Sequence, residues 1–76
     1  MPPHHIKLAD EIRSLRERTA ESMTALAQRL GVTPQTLCQW ERGRRPIPWD
    51  RLGEILALFA VDDATMLRMF KLRAGM

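Results

Sequence analysis

Gln35 and Gln39 stand four residues apart, close to one helical turn, at positions that no apolar pattern claims. A primary amide donates and accepts at once. Each glutamine can therefore pair bidentately with N6 and N7 of an adenine, at roughly 1–3 kcal/mol of discrimination per good pair. Thr36, between them, has a methyl for a thymine and a hydroxyl for a phosphate. Arg42, Arg44 and Arg45 follow at once, and their permanent charge suits phosphate oxygens, a contact that adds salt-dependent affinity without sequence information. Exposed helix positions also take polar residues for solubility alone, so the amides need the context of the whole chain.

Charge supplies part of that context. The formal net charge is +3, and the segments before residue 29 and after residue 51 each balance. The excess lies between them, where Arg29, Arg42, Arg44, Arg45 and Arg51 face only Glu41 and Asp50. Such a local excess is the footprint of a polyanion partner, although a solvated charged loop has the same composition. No acid pair, nucleophile–base constellation or phosphate loop is present, and so small a core leaves little room for a cleft, so no enzyme is expected. Neither metal nor cofactor is expected. His4 and His5, beside two prolines, read as tail residues rather than half a metal site. The single cysteine, Cys38, can form no internal disulfide and reads as a small filler at the edge of the interface rather than a redox switch. These features suit a reducing cytoplasmic setting. The longest apolar run, residues 55–61, is far below the roughly 18 residues of a membrane span, and no signal segment opens the chain.

Seventy-six residues, 45% of them hydrophobic, make one small domain whose apolar residues must nearly all serve one core. The periodicity predicts an all-α fold of five short helices over residues 6–76, preceded by a flexible tail over 1–5. Leu8, Ile12 and Leu15 fall within about 60° on a first helix from about Ile6 to Arg18, with Arg16 at the margin of that stripe. Ser22 is a candidate N-cap for a second helix through Leu30, and Gly31 suits a left-handed exit. Thr33 and Pro34 repeat the start signal for a third helix to about Arg42, stopped by Gly43. Prolines keep residues 44–50 extended. Pro48 then takes a first helical position, and Trp49, Leu52, Ile55, Leu56 and Phe59 share a face of a fourth helix ending near Ala60. Asp62 and Asp63 open a fifth, to about Arg73.

In the third helix Leu37 and Trp40 lie about 60° apart with Glu41 beside them, opposite Gln35, Cys38, Gln39 and Arg42. Leu26, Ala27 and Leu30 point inward from the second helix, and Val32 plugs the corner. The matching elements Leu26-Ala27, Leu30-Gly31-Val32-Thr33, Leu37 and Trp40-Glu41-Arg42-Gly43, with Pro46 soon after, resemble the helix-turn-helix of the phage-repressor and Cro-like (XRE-type) family of bacterial DNA-binding proteins. The similarity runs from about Leu15 to Leu67. It implies a compact five-helix, lambda-repressor-like domain with its helix-turn-helix over about 22–42 and its third helix in the major groove, N-terminal end deepest. Pro34, Gln35, Thr36 and Gln39 then become base readers. Ser22, Thr24, Thr33, Arg42, Arg44 and Arg45 become backbone contacts. Two departures stand out: Met23 occupies a place where the family usually has a polar phosphate anchor, often glutamine, and Pro34 sits where relatives often read a base. The resemblance also implies a buried ion pair between Arg16 and Glu41, against the alternative of a solvated Arg16.

Met66, Leu67, Met69, Phe70 and Leu72 spread over about 220° of the fifth helix, more than one core contact needs, and Leu58 adds to the surplus. This predicts a homodimer with Leu58, Met66, Met69 and Phe70 as candidate contacts, placing two reading helices roughly 34 Å apart on a pseudo-palindromic site. A small domain that leaves a few methionines exposed is the alternative. The expected function is a sequence-specific double-stranded DNA-binding regulator, a small repressor or controller, bacterial or phage-encoded, cytoplasmic and nucleoid-associated. An antitoxin-type regulator with a protein partner, and an interaction module that has lost DNA binding, are the rival readings.

Overall fold

Three of the helices start where a side-chain oxygen satisfies one of their first free N–H groups. In the computed structural model, which describes residues 3–75 and the side chains from Ile6 onward, the helices are α1 (Pro3–Arg18), α2 (Met23–Leu30), α3 (Pro34–Glu41), α4 (Trp49–Leu58) and α5 (Asp63–Ala74). Among the described residues there is no strand. Ser22 Oγ accepts from the Ala25 N–H at 3.0 Å, Thr33 Oγ1 from Thr36 at 3.1 Å, and the Asp62 carboxylate from Thr65 at 2.9 Å. Gly31 leaves α2 at φ +72°, a left-handed exit that costs glycine little.

Three boundaries differ from the sequence pattern. α1 begins at Pro3, so part of the expected tail is helical; proline's fixed φ suits a first turn, where its missing N–H is no loss. Met1, Pro2 and the side chains of His4 and His5 lie outside the described residues. Pro48 is the N-cap of α4 rather than its first helical residue, with its carbonyl accepting from Leu52 N–H at 2.9 Å. α4 ends at Leu58 because Ala60 takes the left-handed conformation (φ +51°) and turns the chain toward α5.

The core is one cluster in which Leu8 and Ile12 of α1, Leu26 of α2, Leu37 of α3, and Ile55 and Leu56 of α4 are all sealed from solvent. α5 closes it with Met69, which is 1% exposed. Met69 is therefore a core residue and not the dimer contact its place on a wide apolar helix suggested. α1 packs across that side of α5, and Leu15 and Met69 line the same cleft. Leu67, two positions back and on nearly the opposite side, is 58% exposed. Trp49 likewise departs from the expected inward face of α4: it is 48% exposed, stacked on Phe70 with ring centroids 5.9 Å apart and with the Arg73 guanidinium 4.9 Å from its ring. Two arginines tie the layers together through backbone carbonyls. Arg51 Nη1 donates to Leu30 at the end of α2 at 2.7 Å, and Arg73 Nε donates to Ile47 before α4 at 2.5 Å. No helix of the described residues is long and apolar enough to cross a membrane.

Candidate nucleic-acid interface

α3 is a short rod with one side held and one side free. On the held side Leu37 and Trp40 are buried, and Glu41 is only 2% exposed. A carboxylate that far from water needs a full set of partners. Arg16 of α1 supplies them as a fork: Nε donates to Oε2 at 2.7 Å and Nη2 to Oε1 at 2.9 Å, while Nη1 reaches the Glu21 carbonyl at 3.1 Å. The hydrogen bond to Glu41 outweighs desolvation and raises the Arg16 pKa, so the guanidinium stays charged. The pair fixes α3 to α1 in position and rotation. Gly43 completes the clamp. It adopts φ +69°, and a Cβ there would lie 3.2 Å from Ile6 Cα, so a side chain would be both strained and tightly pressed against α1.

On the free side Gln35 is exposed, and Thr36 and Gln39 are half-exposed. Thr33 and Thr36 share a hydroxyl hydrogen bond of 2.9 Å at the start of the helix. Arg42, Arg44 and Arg45 are exposed in the turn that follows, and none of them meets a carboxylate among the described residues. The remaining arginines of the basic segment are engaged elsewhere. Arg29 Nη1 donates to both Glu21 carboxylate oxygens, at 2.8 and 2.9 Å, and Arg51 donates to Leu30 and to Glu54. The positive footprint thus contracts from five arginines to the three beside the free face of α3.

This two-sided helix, set at a corner against α2, is what the comparisons with known proteins match. A helix-turn-helix domain family model matches residues 7–69, most of the chain. The chain belongs to the helix-turn-helix domain family. Its fold is similar to the crystal structure of the clp gene regulator ClgR from C. glutamicum, with a TM-score of 0.78 and 25% identity over 99% of this chain and 94% of that one. No curated protein matches the sequence.

In this helix-turn-helix domain the four residues assigned to base reading, Pro34, Gln35, Thr36 and Gln39, all belong to α3. Ser22 and Thr33 both serve as N-caps through their oxygens, so any phosphate contact by them is additional to a structural role. Thr24 is exposed beside the cap. Met23, the departure from the family pattern, is half-buried and packs on the core. Cys38 is a half-buried free thiol. Of the candidate dimer contacts, Leu58, Met66 and Phe70 are half-buried against the core, and Phe70 also carries the Trp49 ring. Sequence reasoning missed the bond from Arg45 Nη1 to Gln39 Oε1 at 3.2 Å. It separated these residues into a backbone contact and a base reader, and nothing in their spacing of six announces that they meet. Arg51 was likewise counted as free charge, though its contact with Leu30 crosses twenty-one positions of chain.

Proposed function

We propose that the protein is a sequence-specific DNA-binding transcriptional regulator, a small repressor or controller that seats α3 in the major groove of double-stranded DNA. The observation that carries this reading is the pairing of a fixed, solvent-facing amide surface on α3 with three arginines that have no carboxylate partner. Gln35, Thr36 and Gln39 face the bases, with Pro34 entering deepest, while Arg42, Arg44 and Thr33 lie along the phosphates and Ser22 and Thr24 reach the backbone from α2. The likeness to ClgR, a gene regulator, supports the same reading. The domain acts in the cytoplasm as a homodimer through the outer side of α5 and its neighbour Leu58. Met69 drops out of that surface, Leu58, Met66 and Phe70 remain of the expected contacts, and the exposed Leu67 joins them. No catalytic step enters this reading.

The test is the salt dependence of binding to duplex DNA. Log affinity should fall steeply and linearly with log salt, and Arg44→Ala should reduce the slope by about one. Arg29→Ala, which removes a charge already paired with Glu21, should leave the slope unchanged. A flat response in the unaltered protein would instead favour an interaction module without DNA binding.

A further inference from the structure

The turn after α3 brings a cation back onto the reading face. Gly43 takes its left-handed conformation, Arg44 N–H bonds back to the Gln39 carbonyl at 2.9 Å, and the reversed chain sets Arg45 beside the Gln39 side chain. There Arg45 Nη1 donates to Gln39 Oε1 at 3.2 Å. A guanidinium has donors and no acceptor, so the atom facing it has to be the amide oxygen, and the amide nitrogen of Gln39 is turned away. One of the oxygen's two lone pairs is spent on the guanidinium and the other lies beside its positive charge, so what the two side chains offer a base together is chiefly N–H donors. Gln35 differs: it is exposed and has no side-chain hydrogen bond among the described residues, so its amide keeps both a donor and an acceptor.

The two purines answer these surfaces differently. In the major groove adenine presents the N7 acceptor and the N6 amino donor, whereas guanine presents two acceptors, N7 and O6. A guanidinium against Gln39 Oε1 puts positive charge where the adenine amino group would have to approach. Both guanine acceptors meet donors instead, one from the amide and one from the remaining guanidinium N–H groups. We propose that Gln39 and Arg45 act as one composite donor that selects guanine at the base pair facing residue 39, while the free amide of Gln35 selects adenine at its own position. This rests on α3 being the reading helix. It makes Arg45 a specificity residue rather than a phosphate contact.

The experiment is selection of bound sites by the full chain from a random duplex pool at low salt, with Gln39→Ala identifying the base position that residue 39 governs. At that position the unaltered protein should favour guanine over adenine by roughly tenfold, the scale of one well-made base contact. Arg45→Ala frees the amide and should move the preference to adenine there, leaving the position relaxed by Gln35→Ala unchanged. Adenine at the residue 39 position in the unaltered protein would overturn the proposal. So would guanine retained by Arg45→Ala, or loss of all enrichment in that variant while its circular dichroism is unchanged. If the unaltered protein enriches no sequence at all, the DNA-reading function falls, and the composite donor with it.

Discussion

The two sides of α3 use polar chemistry in opposite ways. On the inner side Glu41 has almost no contact with water and both its oxygens are taken by Arg16. On the outer side Gln35 is solvated, and three arginines find no carboxylate. A buried pair costs so much to desolvate that it tolerates only one geometry, which suits a clamp. Exposed amides and guanidinium groups cost little to leave unpaired, which suits a surface that has to exchange water for a partner. The helix is rigid where it is attached and chemically open where it faces out, and each property depends on keeping the other's residues off its side.

Glu41→Ala breaks that contrast most severely. It leaves the part-buried Arg16 guanidinium without its carboxylate, at a cost of about 3–5 kcal/mol. A domain of this size shifts by about 4–8 °C per kcal/mol, so thermal melts should fall by more than about 12 °C. Gln35→Ala, on the other side of the same helix, should stay within about 0.5 kcal/mol of the unaltered protein. Equal melting of the two variants would remove the distinction between the sides.

Glycines at the ends of the two corner helices sharpen it at smaller scale. Gly31 and Gly43 both adopt left-handed backbone, so alanine at either carries a strain of about 1–2 kcal/mol. Only at Gly43 does the added methyl also meet the α1 backbone at Ile6; nothing lies within 4 Å at Gly31. Urea midpoints should therefore rank Gly43→Ala below Gly31→Ala, and the reverse order would place the clamp elsewhere.

The smallest effect belongs to a carboxylate that is solvated where Glu41 is sealed. The Thr65 hydroxyl and, next, its backbone N–H hold the Asp62 carboxyl below the usual aspartate pKa. A carboxyl with a lowered folded-state pKa contributes stability above its unfolded value and loses it as pH falls through the folded one. The stability gap between the protein and Asp62→Ala should be constant near neutrality and close as the solution is acidified through that window. A gap independent of pH would assign the cap's value to the backbone turn alone.

Local chemistry was legible wherever the deciding contact spans a few residues. Ser22, Thr33 and Asp62 cap helices because each oxygen meets an N–H three residues on, and Gly31 and Gly43 stop them because glycine alone turns left-handed at little cost. The free amide of Gln35 follows from the same arithmetic, since a helix that buries Leu37 and Trp40 must turn it outward. The Arg16–Glu41 pair was anticipated only through the family resemblance; helical spacing put each near a buried margin without joining them.

Only the packed chain decided the rest. Apolar periodicity on α5 is too broad to say which side α1 will cover, so the burial of Met69 and the exposure of Leu67 depend on the angle at which two distant helices meet. Long side chains add a second freedom. Arg29, Arg45, Arg51 and Arg73 each end on a partner between six and twenty-six positions away, and Trp49 lies over Phe70 instead of in the core. The sequence alone determined the five helices, the caps of α2, α3 and α5 and the outward side of α3, because those depend on hydrogen bonds within one turn. Which arginines remain free to meet a polyanion was settled by tertiary structure, because a flexible cation pairs with whatever the folded chain brings within its reach.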